Sequence, residues 1–286
     1  MLTYIFKPQI NNLIIDGKTL ISIIYNKPEY ISCNLGLRKC KVNYLNGKAI
    51  IEKYKIDLDY LKTIRIDDSC VYAITPPGEI IKLAFFSGQH FYKLRAISPE
   101  TAPTLEIDGI HMHRIKDITP WNDSYLKIKF LRIRPGAVVL DVCTGLGYTA
   151  IHSLMQGARE IISIEKDENV LKLAELNPWS WRLSDHRITI LLGDASEIVE
   201  YLRPSSFNYI IHDPPRISLA GELYSLEFYR NLYSLLKPKG KLFHYTGQPF
   251  EKIGYKIVKG ILNRLRAVGF RRVIYVEKIT GIIASK

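Results

Sequence analysis

Short apolar runs separated by turn residues fill the first third of the chain. Asp16-Gly17 and Asn46-Gly47 are typical of two-residue hairpin loops, and Pro76-Pro77-Gly78 is a further break. Between these turns lie runs rich in β-branched residues, at 13–15, 20–25, 42–45, 49–51, 71–74 and 80–86. This pattern predicts a small β-rich domain over residues 1–96.

The pattern changes from residue 121 onward, where strand-like apolar runs alternate with amphipathic segments. The predicted strands cover 137–143, 160–165, 188–192, 207–211 and 241–245, and the predicted helices cover 148–156, 167–176, 226–236 and 253–268. Residues 271–285 hold two more strand-like runs around Gly281. Alternating strands and helices are typical of a parallel sheet with crossover helices. Residues 121–286 are therefore predicted to form an α/β domain, joined to the first domain by residues 97–120.

Composition narrows the class of protein. The chain has 286 residues, enough for one large or two smaller domains, and its 47% hydrophobic and 24% charged residues are those of a globular protein. No apolar stretch is long enough for a membrane span or a signal peptide. Four cysteines without a CxxC pair are too few for a disulfide framework. We expect a soluble, cytoplasmic protein in a reducing environment.

The net charge suggests a class of partner. Lys and Arg number 40 against 28 Asp and Glu, a surplus of +12, and residues 1–96 hold 14 basic and 8 acidic side chains. Such a surplus is typical of proteins that bind polyanions, nucleic acid above all, although a surface merely rich in lysine has the same count. The β-rich domain is therefore a candidate for binding substrate phosphates. The alternative is that it is a structural cap with a basic surface.

His111-Met112-His113 is the one sequence that suggests a metal ligand pair. No cysteine or acidic residue stands at ligand spacing from it. We predict that both histidines lie on one face of a strand, and we predict no metal site.

A glycine-containing turn follows the first strand of the α/β domain, where open sheets of this class bind ligands. Gly145-x-Gly147-x-x-Ala150 matches the dinucleotide fingerprint, with Glu165 about 20 residues further on. Asp141 before the turn argues against a dinucleotide, because a carboxylate repels a pyrophosphate and attracts a cation. S-adenosylmethionine carries a sulfonium and an ammonium and no phosphate, so the charge favours it.

At these residues the sequence resembles the class I S-adenosylmethionine-dependent methyltransferases. Their acid and glycine pattern is present as Asp141-x-Cys143-x-Gly145-x-Gly147, with Cys143 where the family more often has glycine. The resemblance implies a Rossmann-like α/β sheet with helices on both faces, in which Glu165 binds the ribose hydroxyls and Asp194 binds the adenine amine. It assigns contacts with S-adenosylmethionine, and with its product S-adenosylhomocysteine, to Trp121, Asp141, Thr144, Gly145, Gly147, Tyr148, Glu165, Lys166, Asp194 and Ala195. An ordinary structural role is open for several of them, such as a helix cap for Asp194.

Asp213-Pro214-Pro215-Arg216 follows the predicted fourth strand and resembles the Asp/Asn-Pro-Pro-aromatic motif of methyltransferases that modify exocyclic amines. An aryl amine has a delocalised lone pair, and a carboxylate plus a rigid proline carbonyl can localise it by accepting its N–H groups. The resemblance assigns the reacting centre to these four residues. Arg216 replaces the family's aromatic residue, and its guanidinium can stack on a base or bind phosphate. No cysteine follows Cys143, so the thiolate needed to methylate a cytosine carbon is missing.

A second resemblance points to spermidine-synthase-like aminopropyltransferases. Residues 221–229 and 236–240 are similar to the segment after the catalytic strand of those enzymes, which also carry a small N-terminal β domain. Their first loop usually contains Gly-Gly-Gly, however, and two prolines after Asp213 are atypical of them. The combined pattern resembles a group of predicted archaeal methyltransferases.

These observations predict a methyltransferase that acts on a base nitrogen, an exocyclic amine such as that of cytidine, in ribosomal or transfer RNA. The alternatives are an aminopropyltransferase, a methyltransferase of a protein or small molecule, and a non-enzymatic RNA-binding protein on the same fold. A homodimer stays open as the quaternary structure.

Overall fold

The computed structural model describes residues 2–247 and 252–286, and the side chains of all of these except 252 and 253. The chain divides into two compact units. The larger unit comprises Met1–Phe6, Asp123–Glu168 and Leu183–Lys286, and the smaller unit comprises Lys7–Asn122 and Asn169–Arg182.

Short strands dominate the first 119 residues. The elements are, in chain order, β1 (Leu2–Tyr4), β2 (Leu13–Asp16), α1 (Gly17–Tyr25), β3 (Tyr30–Cys33), β4 (Arg38–Lys41), β5 (Asn43–Leu45), β6 (Lys48–Ile51), β7 (Tyr54–Asp57), α2 (Leu58–Thr63), β8 (Val71–Ile74), β9 (Ile80–Lys82), β10 (Ala84–Ser87), β11 (His90–Arg95), β12 (Thr104–Ile107) and β13 (Ile110–His111).

Strands and helices alternate in the rest of the chain. The elements are α3 (Pro120–Leu131), β14 (Val138–Val142), α4 (Tyr148–Met155), β15 (Glu160–Glu165), α5 (Glu168–Glu175), β16 (Ile188–Leu192), α6 (Ala195–Tyr201), β17 (Phe207–His212), α7 (Leu226–Leu235), β18 (Leu236–Tyr245), α8 (Lys252–Val268), β19 (Arg271–Val276) and β20 (Gly281–Ser285). Three 3₁₀ helices cover Pro178–Ser184, Gly221–Tyr224 and Glu277–Ile279.

The smaller unit consists of antiparallel sheets with the orders β2-β8-β9, β3-β4, β5-β6-β7 and β10-β11-β12-β13. The predicted hairpin at Asn46-Gly47 is confirmed, because Leu45 pairs with Lys48 across that turn. The predicted run at 80–86 divides into β9 and β10, and the predicted boundary at residue 96 falls inside the β10–β13 sheet. A disulfide joins Cys33 and Cys40, which the β3–β4 hairpin brings together without any signal in their spacing.

The hairpin predicted at Asp16-Gly17 is wrong, because the chain enters helix α1 there. The Asp16 carboxylate accepts a hydrogen bond of 2.7 Å from the Thr19 backbone N–H and so caps the helix. Asp-Gly is typical of hairpin loops, but Asp is equally a preferred N-cap, and the apolar spacing after it is helical. Leu20, Ile23 and Ile24 of α1 are buried in the apolar core of this unit.

The larger unit is built on one eight-stranded sheet with the order β1-β16-β15-β14-β17-β18-β20-β19. Strands β14 to β18 are mutually parallel, whereas β1 and β20 run antiparallel to their neighbours. β1 comes from the predicted N-terminal domain but pairs with β16 through Leu2–Leu192. The predicted α/β fold is confirmed, and helices α3 and α6 are additions that the sequence pattern did not predict.

Helices cover both faces of this sheet, as predicted. Val138, Leu140 and Val142 of β14 face a core built with residues of α6, α7 and α8. Successive side chains of a strand point to opposite faces, so Asp141 points to the other face, where it contacts Thr149 of α4. The alternation of side chains along β14 thus places its apolar residues against α6, α7 and α8, and places Asp141 against α4.

The prediction that His111 and His113 share one strand is wrong, because β13 ends at His111. Both histidines have partners within the smaller unit. His111 Nε2 lies 3.1 Å from Glu106 Oε2, and His113 Nδ1 lies 3.0 Å from the Thr104 hydroxyl. Among the described residues, no three His, Cys, Asp or Glu side chains are grouped as a metal site. None of the helices in the described ranges has the length and apolarity that crossing a bilayer requires.

Candidate active site at the carboxyl ends of the strands

Four acidic residues meet at the carboxyl edge of the large sheet. Asp141 lies in β14, Glu165 ends β15, Asp194 follows β16 and Asp213 follows β17. These strands are parallel neighbours, so their carboxyl ends share one edge. Burial and the fields of Glu165, Asp213, Asp141 and Asp194 together raise the pKa of the Cys143 thiol well above its usual value. The structure therefore brings the four predicted acids together, with a neutral thiol among them.

Asp141 is fully buried beneath the loop that follows β14. Its Oδ1 accepts a hydrogen bond of 2.7 Å from the Thr149 hydroxyl, and its Oδ2 accepts one of 3.1 Å from the Ser163 hydroxyl. Burial raises its pKa to about 7, although the two hydroxyls oppose the shift. The sequence predicts that this carboxylate meets a cationic ligand directly. In the structure it bonds to α4 and β15, and its contact with a ligand stays a prediction.

The loop of residues 143–147 requires an unusual backbone. Cys143, Gly145 and Gly147 have φ angles of +66°, +54° and +76°, in the left-handed region that favours glycine. A Cβ at Gly147 would lie 2.5 Å from the Leu183 side chain, whereas a Cβ at Gly145 would meet nothing within 4 Å. Gly147 is therefore needed for packing, and Gly145 borders open space. The positive φ of Cys143 means that glycine would fit this position without strain.

Glu165 fixes this loop from the neighbouring strand. Its Oε2 accepts a hydrogen bond of 2.8 Å from the Gly145 N–H, and its Oε1 accepts bonds from the backbone N–H groups of Lys166 and Asp167 at 2.9 and 3.0 Å. Burial raises the pKa of this carboxyl. A carboxylate has about four acceptor positions, so hydroxyl donors such as those of a ribose can still bind.

Asp194 is both the strand-end acid and the N-cap of α6. It accepts hydrogen bonds from the Ser196 backbone N–H at 2.9 Å and from the Ser196 hydroxyl at 2.7 Å. Partial burial opposes ionisation, but these bonds and the nearby Lys166 hold its pKa below the usual value. The Lys166 ammonium lies 3.6 Å from Asp194 Oδ2. The cap orients the carboxylate without occupying both of its oxygens.

The remaining predicted cofactor residues have different surroundings. Thr144 is buried, and its hydroxyl donates to the Ile164 carbonyl at 3.1 Å. Tyr148 and Ala195 are buried at the first positions of α4 and α6. Trp121 belongs to the smaller unit, where its ring packs edge-on against Trp179 at 5.0 Å. Their contacts with a cofactor stay predictions.

Asp213 is paired with a buried lysine that the sequence analysis did not identify. Lys127 Nζ of α3 donates to Asp213 Oδ2 at 2.7 Å and lies 2.9 Å from Asp123 Oδ2 and 4.5 Å from the centre of the Tyr245 ring. Lys127 and Asp123 are almost wholly buried, and Asp213 is 20% exposed. The one signal in the sequence is the spacing Asp123-x-x-x-Lys127, which places both side chains on one face of a helix.

Burial and charge oppose each other in this trio. Burial disfavours the Lys127 ammonium, but the two flanking carboxylates raise its pKa well above the usual range, so it stays charged. Burial raises the pKa of Asp213, and the Lys127 ammonium offsets part of that shift. The trio therefore carries one net negative charge when both carboxylates are ionised.

A tyrosine anchors the loop after Asp213. The Tyr224 hydroxyl donates to the Pro215 carbonyl at 2.7 Å, so this carbonyl is already engaged, while Pro214 is buried. Arg216 is exposed, and its carbonyl accepts the Leu219 N–H at 2.8 Å. The loop is thus held at two carbonyls that follow the acid, and the Arg216 side chain is left in solvent.

Uncharged aromatic side chains lie under this loop. His212 and His244 are fully buried, with ring centres 4.4 Å apart, and His244 Nε2 lies 2.7 Å from the Tyr229 hydroxyl. Burial lowers the pKa of His244 to about 3 and that of His212 well below its usual value. Both lowered pKa values favour the neutral form of each imidazole at neutral pH.

Comparison with known proteins relates the chain to two classes of enzyme. Residues 148–280 match the family described as spermine/spermidine synthase domain. The "uncharacterized protein MJ1233" of Methanocaldococcus jannaschii is 42% identical over 282 residues, which are 95% of each chain. The polyamine aminopropyltransferase of Sulfolobus acidocaldarius is 25% identical over 186 residues, 62% of this chain and 61% of the relative.

A methyltransferase is also among the relatives. The probable tRNA (guanine(10)-N2)-dimethyltransferase of Methanothermococcus thermolithotrophicus is 29% identical over 119 residues, 40% of this chain and 73% of the relative. Among solved structures, a spermidine synthase in complex with the transition-state analogue AdoDATO superposes with a TM-score of 0.57 at 24% identity, over 74% of this chain and 77% of that one. This likeness shows the shared fold.

Proposed function

The chain belongs to one family with its Methanocaldococcus jannaschii relative, and on that premise we propose that it is an S-adenosylmethionine-dependent methyltransferase. The acceptor is a base nitrogen, an exocyclic amine such as that of cytidine, in ribosomal or transfer RNA. One observation carries the proposal: Asp213, which begins an Asp-Pro-Pro loop, shares a sheet edge with Asp141, Glu165 and Asp194.

The residues at this edge suit S-adenosylmethionine. Gly145 borders open space beside the loop, which leaves room for a ligand. The raised pKa values of Asp141 and Glu165, caused chiefly by burial, mark a crowded acidic edge that a sulfonium and an ammonium would stabilise. Glu165 would hold the ribose and Asp194 the adenine amine, and the Asp141 carboxylate would act on the cationic donor through its charge.

S-adenosylmethionine, when bound, supplies an electrophilic methyl group: the amine lone pair forms the new N–C bond while the C–S electrons pass to sulfur, leaving S-adenosylhomocysteine. Asp213 Oδ2 is held by Lys127, so among the described residues Oδ1 is the oxygen left to accept an acceptor N–H. A carboxyl whose pKa is raised by burial can also take the proton that the methylated amine loses.

RNA is the acceptor class that two observations support. The chain carries a net charge of +12, half of it in residues 1–96. The relative from Methanothermococcus thermolithotrophicus is described as a tRNA methyltransferase. Aminopropyl transfer is the second candidate function, favoured by the spermine/spermidine synthase domain match over residues 148–280.

Two measurements and one variant test the proposal. Calorimetry with S-adenosylmethionine and with its decarboxylated form should show tighter binding of the former, and mass spectrometry of nucleosides should show a methylated base that is absent from RNA of a deletion strain. Asp213→Ala should lower methyl transfer to that RNA by about 100-fold or more. Asp185→Asn, in a surface turn of the same unit, serves as the control.

Full methyl transfer by Asp213→Ala would show that the reacting centre lies elsewhere. Tighter binding of the decarboxylated donor would replace methyl transfer by aminopropyl transfer.

A further inference from the structure

We propose that Lys127 is a specificity-determining positioning residue that excludes cationic amines from Asp213 and admits neutral ones. This inference rests on the proposed function in placing the acceptor at Asp213. It names the acceptor class more narrowly, as an uncharged amine of the kind found on a nucleobase.

Lys127 is built into the site and does not sample solvent. Its side chain is 3% exposed, and Asp123, one helical turn earlier in α3, is fully buried. Its ammonium donates to Asp213 Oδ2 at 2.7 Å, and the face of the Tyr245 ring lies 4.5 Å away. Carboxylates on two sides and an aromatic face give the ammonium a fixed position.

The Lys127 ammonium already pairs with the carboxylate that a charged acceptor would bind. A diamine or polyamine is a cation at neutral pH, and its recognition requires a carboxylate that no other cation neutralises. An acceptor ammonium bonded to Asp213 Oδ1 would stand about 5 Å from the Lys127 ammonium, and because Lys127 is only 3% exposed, water would screen their repulsion incompletely. A neutral amine meets no such repulsion.

The same contact selects one oxygen of the carboxylate. The Lys127 ammonium takes one acceptor position of Oδ2, so Oδ1 is the less engaged oxygen and the better acceptor for the N–H of a planar amine. This acceptor suits an exocyclic amine, which needs one N–H bound while its nitrogen faces the donor. Lys127 therefore acts on the acceptor through Asp213.

A comparison of variants tests the inference by binding, without any need for turnover. Lys127→Met alone would leave Asp123 buried without its cation and is a poor choice because it risks unfolding. The double variant Lys127→Met/Asp123→Asn removes both charges of the buried pair and leaves Asp213 as a lone carboxylate. Asp123→Asn alone is the matched control, since it keeps the Lys127 ammonium on Asp213.

The probe is 1,4-diaminobutane, titrated by calorimetry into full-length protein saturated with S-adenosylhomocysteine. We expect the double variant to bind it about tenfold or more tightly than the wild type, and Asp123→Asn to show no gain. Equal affinity of the wild type and the double variant would overturn the inference. So would a wild-type Kd below about 1 mM, a result that needs no variant to fold.

The outcome is separable from that of the proposed function. If no RNA base is methylated but the double variant gains affinity for the diamine, methyl transfer is wrong and the role of Lys127 stands. If methylation is found and the diamine affinity does not change, the role of Lys127 is wrong and methyl transfer stands.

Discussion

The two units of the chain place acidic residues in different surroundings. In the smaller unit Asp16 caps the helix that follows it, and the partly buried Asp67 accepts a hydrogen bond of 2.8 Å from Lys93. In the larger unit the parallel strands bring together acids from distant parts of the chain, and the contact of Asp213 with Lys127 spans 86 residues. The smaller unit thus gives these two acids individual partners, whereas the parallel edge of the larger unit concentrates negative charge.

This difference has an energetic consequence. Asp67 is partly buried, yet the Lys93 ammonium and the Ser69 hydroxyl hold its pKa well below the usual value. Asp141 has only neutral hydroxyl partners, and burial raises its pKa to about 7. In the smaller unit a charge pair stabilises the ionised form of Asp67. In the larger unit a cationic ligand would stabilise the ionised form of Asp141.

The largest expected effect is an opposite response of the two units to pH. Asp141 binds a proton more tightly in the folded state, so its contribution to stability is present below pH 4 and is lost as the pH rises towards 7. Between pH 5 and 8 the wild type should lose about 2 to 3 kcal/mol of unfolding free energy relative to Asp141→Asn. Urea denaturation at the two pH values measures this difference.

Asp67→Asn is the matched control in the smaller unit. The lowered pKa of Asp67 means that its ionised form stabilises the fold above pH 4, and that this contribution is lost as the pH falls. Stability differences of the same sign for both variants would contradict the contrast between the units.

A smaller effect should separate Gly145, which is proposed to border the donor, from an ordinary turn glycine. Gly145 and Gly47 both have positive φ angles, +54° and +74°, and a Cβ at either would meet nothing within 4 Å. Alanine at either position should therefore cost about 1 kcal/mol of stability. Gly145→Ala should also weaken S-adenosylmethionine binding about tenfold, because the methyl group projects into the space proposed for the donor.

Calorimetry and thermal denaturation of both variants check this pair. Wild-type affinity in Gly145→Ala would place the donor away from the loop, and weakened binding in Gly47→Ala would show that the effect is not specific to it.

The smallest effect concerns backbone strain in the larger unit. In the smaller unit, left-handed Asn46 lies in a hairpin turn, where that residue type is well tolerated, whereas Cys143 at +66° has no such preference. Cys143→Gly and Cys143→Ala both remove the sulfur, but only glycine relieves the strain. Cys143→Gly should be more stable by about 0.5 to 1 kcal/mol in urea denaturation. Equal stabilities would show that this loop stores no strain.

Local pattern was sufficient to predict most of the larger unit. Buried parallel strands appear as continuous apolar runs, so the bounds of β15 and β16 match the prediction. The four acids could be placed at one edge because each lies near the end of such a run or directly after it. The Asp16-Gly17 segment could not be assigned correctly, because the same dipeptide serves hairpins and helix caps and only the residues after it decide.

Periodicity and residue chemistry, both local properties, were enough to establish the α/β fold, the strand-end acids and the Gly145-x-Gly147 loop. Pairing between distant segments decided the rest: β1 joined β16, the Asp141 carboxylate was enclosed by Thr149 and Ser163, and Lys127 reached Asp213. A side chain's partners depend on which helices pack on which face of the sheet. The packing of helices on the sheet is set by the free energy of the whole chain, so it cannot be predicted from any short segment of sequence.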